Sequence, residues 1–127
     1  MSTLHRESAG TAPAVEAARG RAGASGLVAV VEGVADRAAT LAAFGEALSF
    51  PGYYGHNLDA LADCLSDLSW LPPGPVELVV ADGGLAAADP RTHAAVLSVL
   101  ADAVAATAGT PHPLRVTLAG PGESPAV

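Results

Sequence analysis

At 127 residues the chain suits one domain, which at this length buries about two-thirds of the surface its unfolded form would expose. Its 13 acidic residues face six arginines and no lysine, a net charge of −7 that opposes nucleic-acid binding and favours a basic partner or plain solubility. The lone Cys64 excludes an internal disulfide, and neither Met1–Glu7 nor the uncharged stretch Ala103–Leu114, broken by Gly109, Pro111 and Pro113, has the apolar run of a signal core or membrane span. The expected compartment is the cytoplasm.

Residues 1–25 are mostly Ala, Gly, Ser, Thr and Arg with almost no large apolar side chain, and the composition predicts a flexible tail. With it set aside, the remainder carries three arginines against 11 acids, a net charge of −8. The domain is expected over 26–120. Leu27-Val28-Ala29-Val30-Val31 reads as a strand buried on both faces, as in a parallel sheet. Asp36 can cap a first helix, in which Leu41, Phe44 and Leu48 recur at helical spacing until Phe50-Pro51-Gly52 ends it.

Gly52 to Asn57 form a glycine-flanked aromatic loop, and Asn57 can cap a second helix running to about Leu68. A proline-rich connector leads into Val76–Ala81, a second buried-type strand ended by Asp82-Gly83-Gly84. Asp89 and Pro90 open a third helix with Val96, Leu97, Leu100 and Val104 as its inward stripe. Leu114–Leu118 is the last strand, and 121–127 is expected to fray. The order β, α, loop, α, β, α, β predicts an α/β domain with a parallel sheet of at least three strands packed against helices. No glycine-rich phosphate loop follows either early strand.

The second helix is strongly two-sided. At about 100° per residue, Leu58, Leu61, Cys64, Leu65 and Leu68 share one side, while Asp59, Asp63 and Asp67 fall within roughly 80° on the other. Like charges at this spacing cost a few tenths of a kcal/mol per pair, and an acid near the C-terminal end opposes the helix dipole. A solvated face and a binding face both remain open on the pattern alone. Beside it, Tyr53 and Tyr54 are amphipathic anchors of the kind enriched in interfaces, although either could pack into the core.

Tyr53-Tyr54-Gly55-His56-Asn57-Leu58-Asp59-Ala60-Leu61-Ala62-Asp63-Cys64-Leu65 closely resembles the signature of the barstar family, Tyr-Tyr-Gly-x-Asn-Leu-Asp-Ala-Leu-x-Asp-Cys-Leu. The similarity extends more loosely from Leu27 to Leu118. It implies a single barstar-like domain with a three-stranded parallel sheet packed against helices, and a protein that binds a basic, secreted-type ribonuclease one-to-one and blocks its active site. Carried over residue by residue, the implied contacts are Tyr53, Gly55, Asn57, Leu58, Asp59, Ala60 and Asp63, with Asp63 as the central anchor. Two positions depart from barstar itself: Ala62 replaces a tryptophan between the two acids, and Ala94 stands where a late helix brings a glutamate.

No pair of the histidines His5, His56, His93 and His112 has metal-ligand spacing on one element, so no cofactor or metal is expected. His56 with Asp59 and Asp63 could be drawn as a small metal-dependent hydrolytic site, but a second element supplying a ligand or oxyanion donor is missing. A barstar-like adaptor for some other basic protein is the remaining alternative. The resemblance favours an inhibitor that is not an enzyme, monomeric by itself, with no nucleic-acid or membrane partner. Cys64, on the apolar side, reads as a buried structural thiol, and Trp70 as core cover.

Overall fold

A computed structural model describes residues 4–32 and 34–120. Four parallel strands, β1 (Leu4–Glu7), β2 (Leu27–Val31), β3 (Val76–Val80) and β4 (Leu114–Ala119), lie in the order β1-β4-β3-β2. Among the described residues five helices connect them: α1 (Thr11–Ala22), α2 (Arg37–Ala47), α3 (Leu58–Asp67), α4 (Gly83–Ala88) and α5 (Pro90–Thr107). The α/β parallel architecture agrees with the sequence expectation, with a fourth strand in place of three.

Alternation along the strands sorts the core into two layers. Ala29, Val31, Val76, Leu78, Val80, Leu114, Val116 and Leu118 face α2, α3 and α5, where Leu41, Phe44, Leu61, Leu65, Val96 and Leu100 complete the main core. Val79 and Ala119 face the other way and meet Ala14 and Ala18 of α1, with Val28 and Val30 packed around them. Every residue of β3 is therefore buried, as expected of a central parallel strand. β2 departs from that expectation: it lies at the sheet edge with Leu27 exposed and Val28 and Val30 half-buried.

The flexible-tail expectation for 1–25 is corrected by β1 and α1, which order most of that segment. Two features missing from a hydrophobicity argument order it. Ala14, Ala18 and Ala22, at i, i+4 and i+8, form a small-residue stripe that lets α1 sit directly on the sheet. Two arginines then reach buried acids on or just beyond β3. Arg6 grips both carboxylate oxygens of Asp82 at 2.6 and 2.9 Å, and Arg21 donates from Nε to Glu77 at 3.0 Å and from its guanidinium to Thr117 at 3.2 Å. Such acids almost never lie buried without partners. Residues 121–127, expected to fray, lie outside the described residues.

Asp82 is 2% exposed and also takes a 2.7 Å hydrogen bond from His93 of α5. Burial by itself would raise its carboxyl, but the hydrogen bonds from Arg6 and His93, with the Arg6 charge, outweigh that and hold it below the usual carboxylate range. A carboxyl depressed in the folded state stabilises the fold above its unfolded value, and that contribution fades as pH falls through the lower folded value. Melting temperature should therefore drop on acidification below about pH 4, with a shallower drop in Asp82→Asn. Thermal denaturation across that range checks this, and an unchanged slope in the variant would contradict it.

Candidate protein-binding site

The site begins where α2 ends. Leu48 caps the helix, Ser49 takes a left-handed conformation with φ of 54°, and Phe50 donates its backbone N–H to Gly45 at 2.9 Å, turning the chain back across α2. Tyr54 closes the turn by bonding to the Pro51 carbonyl at 3.0 Å. Of the two tyrosines it is Tyr54 that enters the core, 6% exposed, where its hydroxyl donates to the Leu41 carbonyl at 2.8 Å. Burial, with a lesser contribution from Cys64, pushes this phenol up to about 12, so it stays a donor. Phe50 packs edge-on to both Tyr54 and Trp70, at 4.7 and 5.6 Å between centroids, and Trp70 donates its indole N–H to the Leu48 carbonyl at 3.0 Å. The loop is thus fastened from below, and Trp70 covers core as expected.

Tyr53, next in the chain, is 74% exposed. His56 has a φ of 55° and lays its ring on Tyr54 at a centroid distance of 4.5 Å. Asn57 returns to extended backbone and caps α3, its side-chain oxygen accepting from the Ala60 N–H at 2.8 Å. That cap fixes the register of everything beyond it. Leu61, Cys64, Leu65 and Leu68 turn into the core, while Asp59, Asp63 and Asp67 stand on the exposed side. Leu58, Ala60 and Ala62 are half-buried between the two faces, and Gly55 is exposed in the loop.

Of the expected contacts, Tyr53, Gly55, Asn57, Asp59 and Asp63 are all exposed on the loop and α3, and Leu58, Ala60 and Ala62 are half-buried. Among the described residues, neither Asp59 nor Asp63 has a cation partner within the chain; the arginine bridges go to Asp82 and Glu77. Asp59 lies in the first turn, where the helix dipole favours it, and Asp67 lies in the last, where the dipole opposes it. Replacing Asp67 with asparagine should stabilise the fold by about 0.3–1 kcal/mol. Chemical denaturation of the two proteins checks this; a less stable variant would show that the Ser69 hydroxyl bond to Asp67, at 3.1 Å, outweighs the dipole.

Little here suits covalent chemistry. Burial, and then the charges of Asp63 and Asp67, push the Cys64 thiol up, away from thiolate. Among the described residues no group of three or more His, Cys, Asp or Glu side chains could hold a metal ion, which leaves the hydrolytic drawing of His56, Asp59 and Asp63 without support. No helix among them is long and apolar enough to cross a membrane. Sequence reasoning missed the Arg6–Asp82–His93 cluster. Its members come from β1, the end of β3 and α5, and no local spacing announces them. Both Asp82 oxygens are occupied, so the cluster works as a clamp between layers.

Comparison with family models matches residues 26–119 to the family described as Barstar (barnase inhibitor). No curated protein matched the chain. The matched segment contains the whole loop and α3, and begins after α1.

Proposed function

The chain belongs to the barstar family, a family of barnase inhibitors, and from that premise we propose that it inhibits a basic, guanyl-preferring microbial ribonuclease by seating α3 and the 53–57 loop in the nuclease's active site. The observation that carries this is the set of exposed acids on α3, without a cation partner among the described residues, together with the exposed Tyr53. An active site that grips RNA phosphates presents arginine, lysine and histidine, and Asp59 and Asp63 offer the matching charges in place of phosphate. The partner contacts on this reading are Tyr53, Gly55, Asn57, Leu58, Asp59, Ala60, Ala62 and Asp63, with Asp63 central. The inhibitor acts by occupancy, one molecule per nuclease, as a cytoplasmic monomer that protects the cell before the nuclease is exported. The net charge of −7 steers a cationic partner and makes association salt-dependent.

Ala62 and Ala94 favour a second reading, in which the same face serves a basic protein whose surface differs from that of barnase. Ala62 is half-buried and Ala94 exposed, so neither reproduces the tryptophan and glutamate that barstar presents. Titrating RNA cleavage by a barnase-type nuclease with the purified chain separates the two. Stoichiometric loss of cleavage supports the inhibitor; binding without loss of cleavage supports the adaptor; neither binding nor inhibition across several basic nucleases would refute the inhibitor reading.

A further inference from the structure

Between α2 and the loop that leads into α3 lies a groove of about 340 Å³ lined by residues that include Gly45, Glu46, Phe50, Pro51, Tyr54 and His56. We propose that this groove receives an arginine side chain of the bound basic ribonuclease, extending the contact from α3 onto α2; the inference rests on the inhibitory reading of α3. The groove is at the small end of ligand pockets, room for one extended side chain.

Its chemistry fits a guanidinium. Three rings form its walls, with Tyr54 at 4.7 Å from Phe50 and 4.5 Å from His56, and π-faces attract a planar cation. Glu46 is exposed at the rim, and among the described residues it has no cation partner. Gly45 keeps the floor open: a Cβ there would sit 3.1 Å from the Tyr54 ring. The Tyr54 hydroxyl is already spent on Leu41, so its ring cannot swing out to fill the space.

Charge and continuity point to the occupant. Glu46 adds an exposed negative charge in the groove for a partner that must be cationic, and His56 belongs both to the groove and to the signature loop that leads into α3. The sense of insertion also suits a chain with Ala62 in place of barstar's tryptophan: the anchor comes from the partner and enters this protein, instead of projecting from α3.

Two variants test this without touching the core. Glu46→Gln removes the counter-charge at nearly constant shape, and Ala42→Leu places bulk at an exposed rim position on α2. Inhibition constants against a basic guanyl-preferring ribonuclease are measured at two salt concentrations, with Asp63→Ala in parallel. Each groove variant should weaken inhibition by about 5- to 30-fold, and Glu46→Gln should also flatten the salt dependence. Wild-type inhibition by both groove variants, with inhibition lost in Asp63→Ala, overturns the groove and leaves α3 standing. Absence of inhibition by the wild-type chain across several basic nucleases overturns the parent reading and the groove with it.

Discussion

Alanine in place of Asp63 should weaken inhibition of the target ribonuclease by about 30- to several thousand-fold, corresponding to the roughly 2–5 kcal/mol lost when one partner of a buried, hydrogen-bonded charge pair is truncated. The acid is exposed in the free protein and, among the described residues, has no cation partner, so its oxygens are open to the cations of the nuclease. Much of the loss would come from the nuclease side, where phosphate-binding cations would be buried without a counter-charge. The fold should not suffer: Asp63 caps nothing and bridges nothing, and removing it relieves like-charge repulsion with Asp59 and Asp67 at i±4. Inhibition titrations together with thermal melts separate the two effects. A variant that melts like the wild type and still inhibits equally well would remove Asp63 from the site. Dissociation should change more than association, because charge steering comes from the whole acidic surface.

Shortening the chain to begin at Gly26, the first residue of the family match, should cost on the order of 3–5 kcal/mol, a large part of the 5–15 kcal/mol typical of a domain. Removal of α1 bares Val79 and Ala119 on the second face of the sheet, and loss of β1 opens the edge of β4. Glu77 would keep only the looser Arg115, 3.9 Å away, and Asp82 would keep only His93. Renewed solvent access to both acids lowers the cost from the upper end of that range. Urea denaturation of the full and shortened chains measures it, and equal midpoints would show that β1 and α1 merely decorate the sheet. The proposed binding face lies on α3 and the 53–57 loop, so on that proposal the folded fraction of the shortened chain should still inhibit.

Local signals were sufficient for three strands and three helices because each is announced by chemistry within a few residues. Asp36, Asn57 and Asp89 all cap the helices they were expected to cap, accepting from the N–H three residues on at 2.7, 2.8 and 3.1 Å. The same locality explains what was missed. β1 has one large apolar residue, Leu4, and as an edge strand needs little beyond the backbone pairing that β4 offers. α4 begins Gly83-Gly84, which reads as a turn, and is held by the burial of Leu85. A clue to α1 was nevertheless present: Val76–Val80 has apolar residues of both parities, so both faces of the sheet had to be covered.

The parallel α/β class, the helix boundaries set by side-chain caps, and the division of α3 into an apolar and an acidic side were all legible from residue order, since each follows from periodicity or a contact spanning three or four residues. Tertiary structure alone decided which tyrosine of the pair faces outward, because the choice depends on the Leu41 carbonyl waiting 13 residues away for the Tyr54 hydroxyl. It also decided the fate of the N-terminal segment. An alanine stripe is worth little to an isolated helix, and an arginine worth little to a tail; against a sheet face carrying Glu77, with Asp82 at the end of β3, the same residues become a layer of the fold.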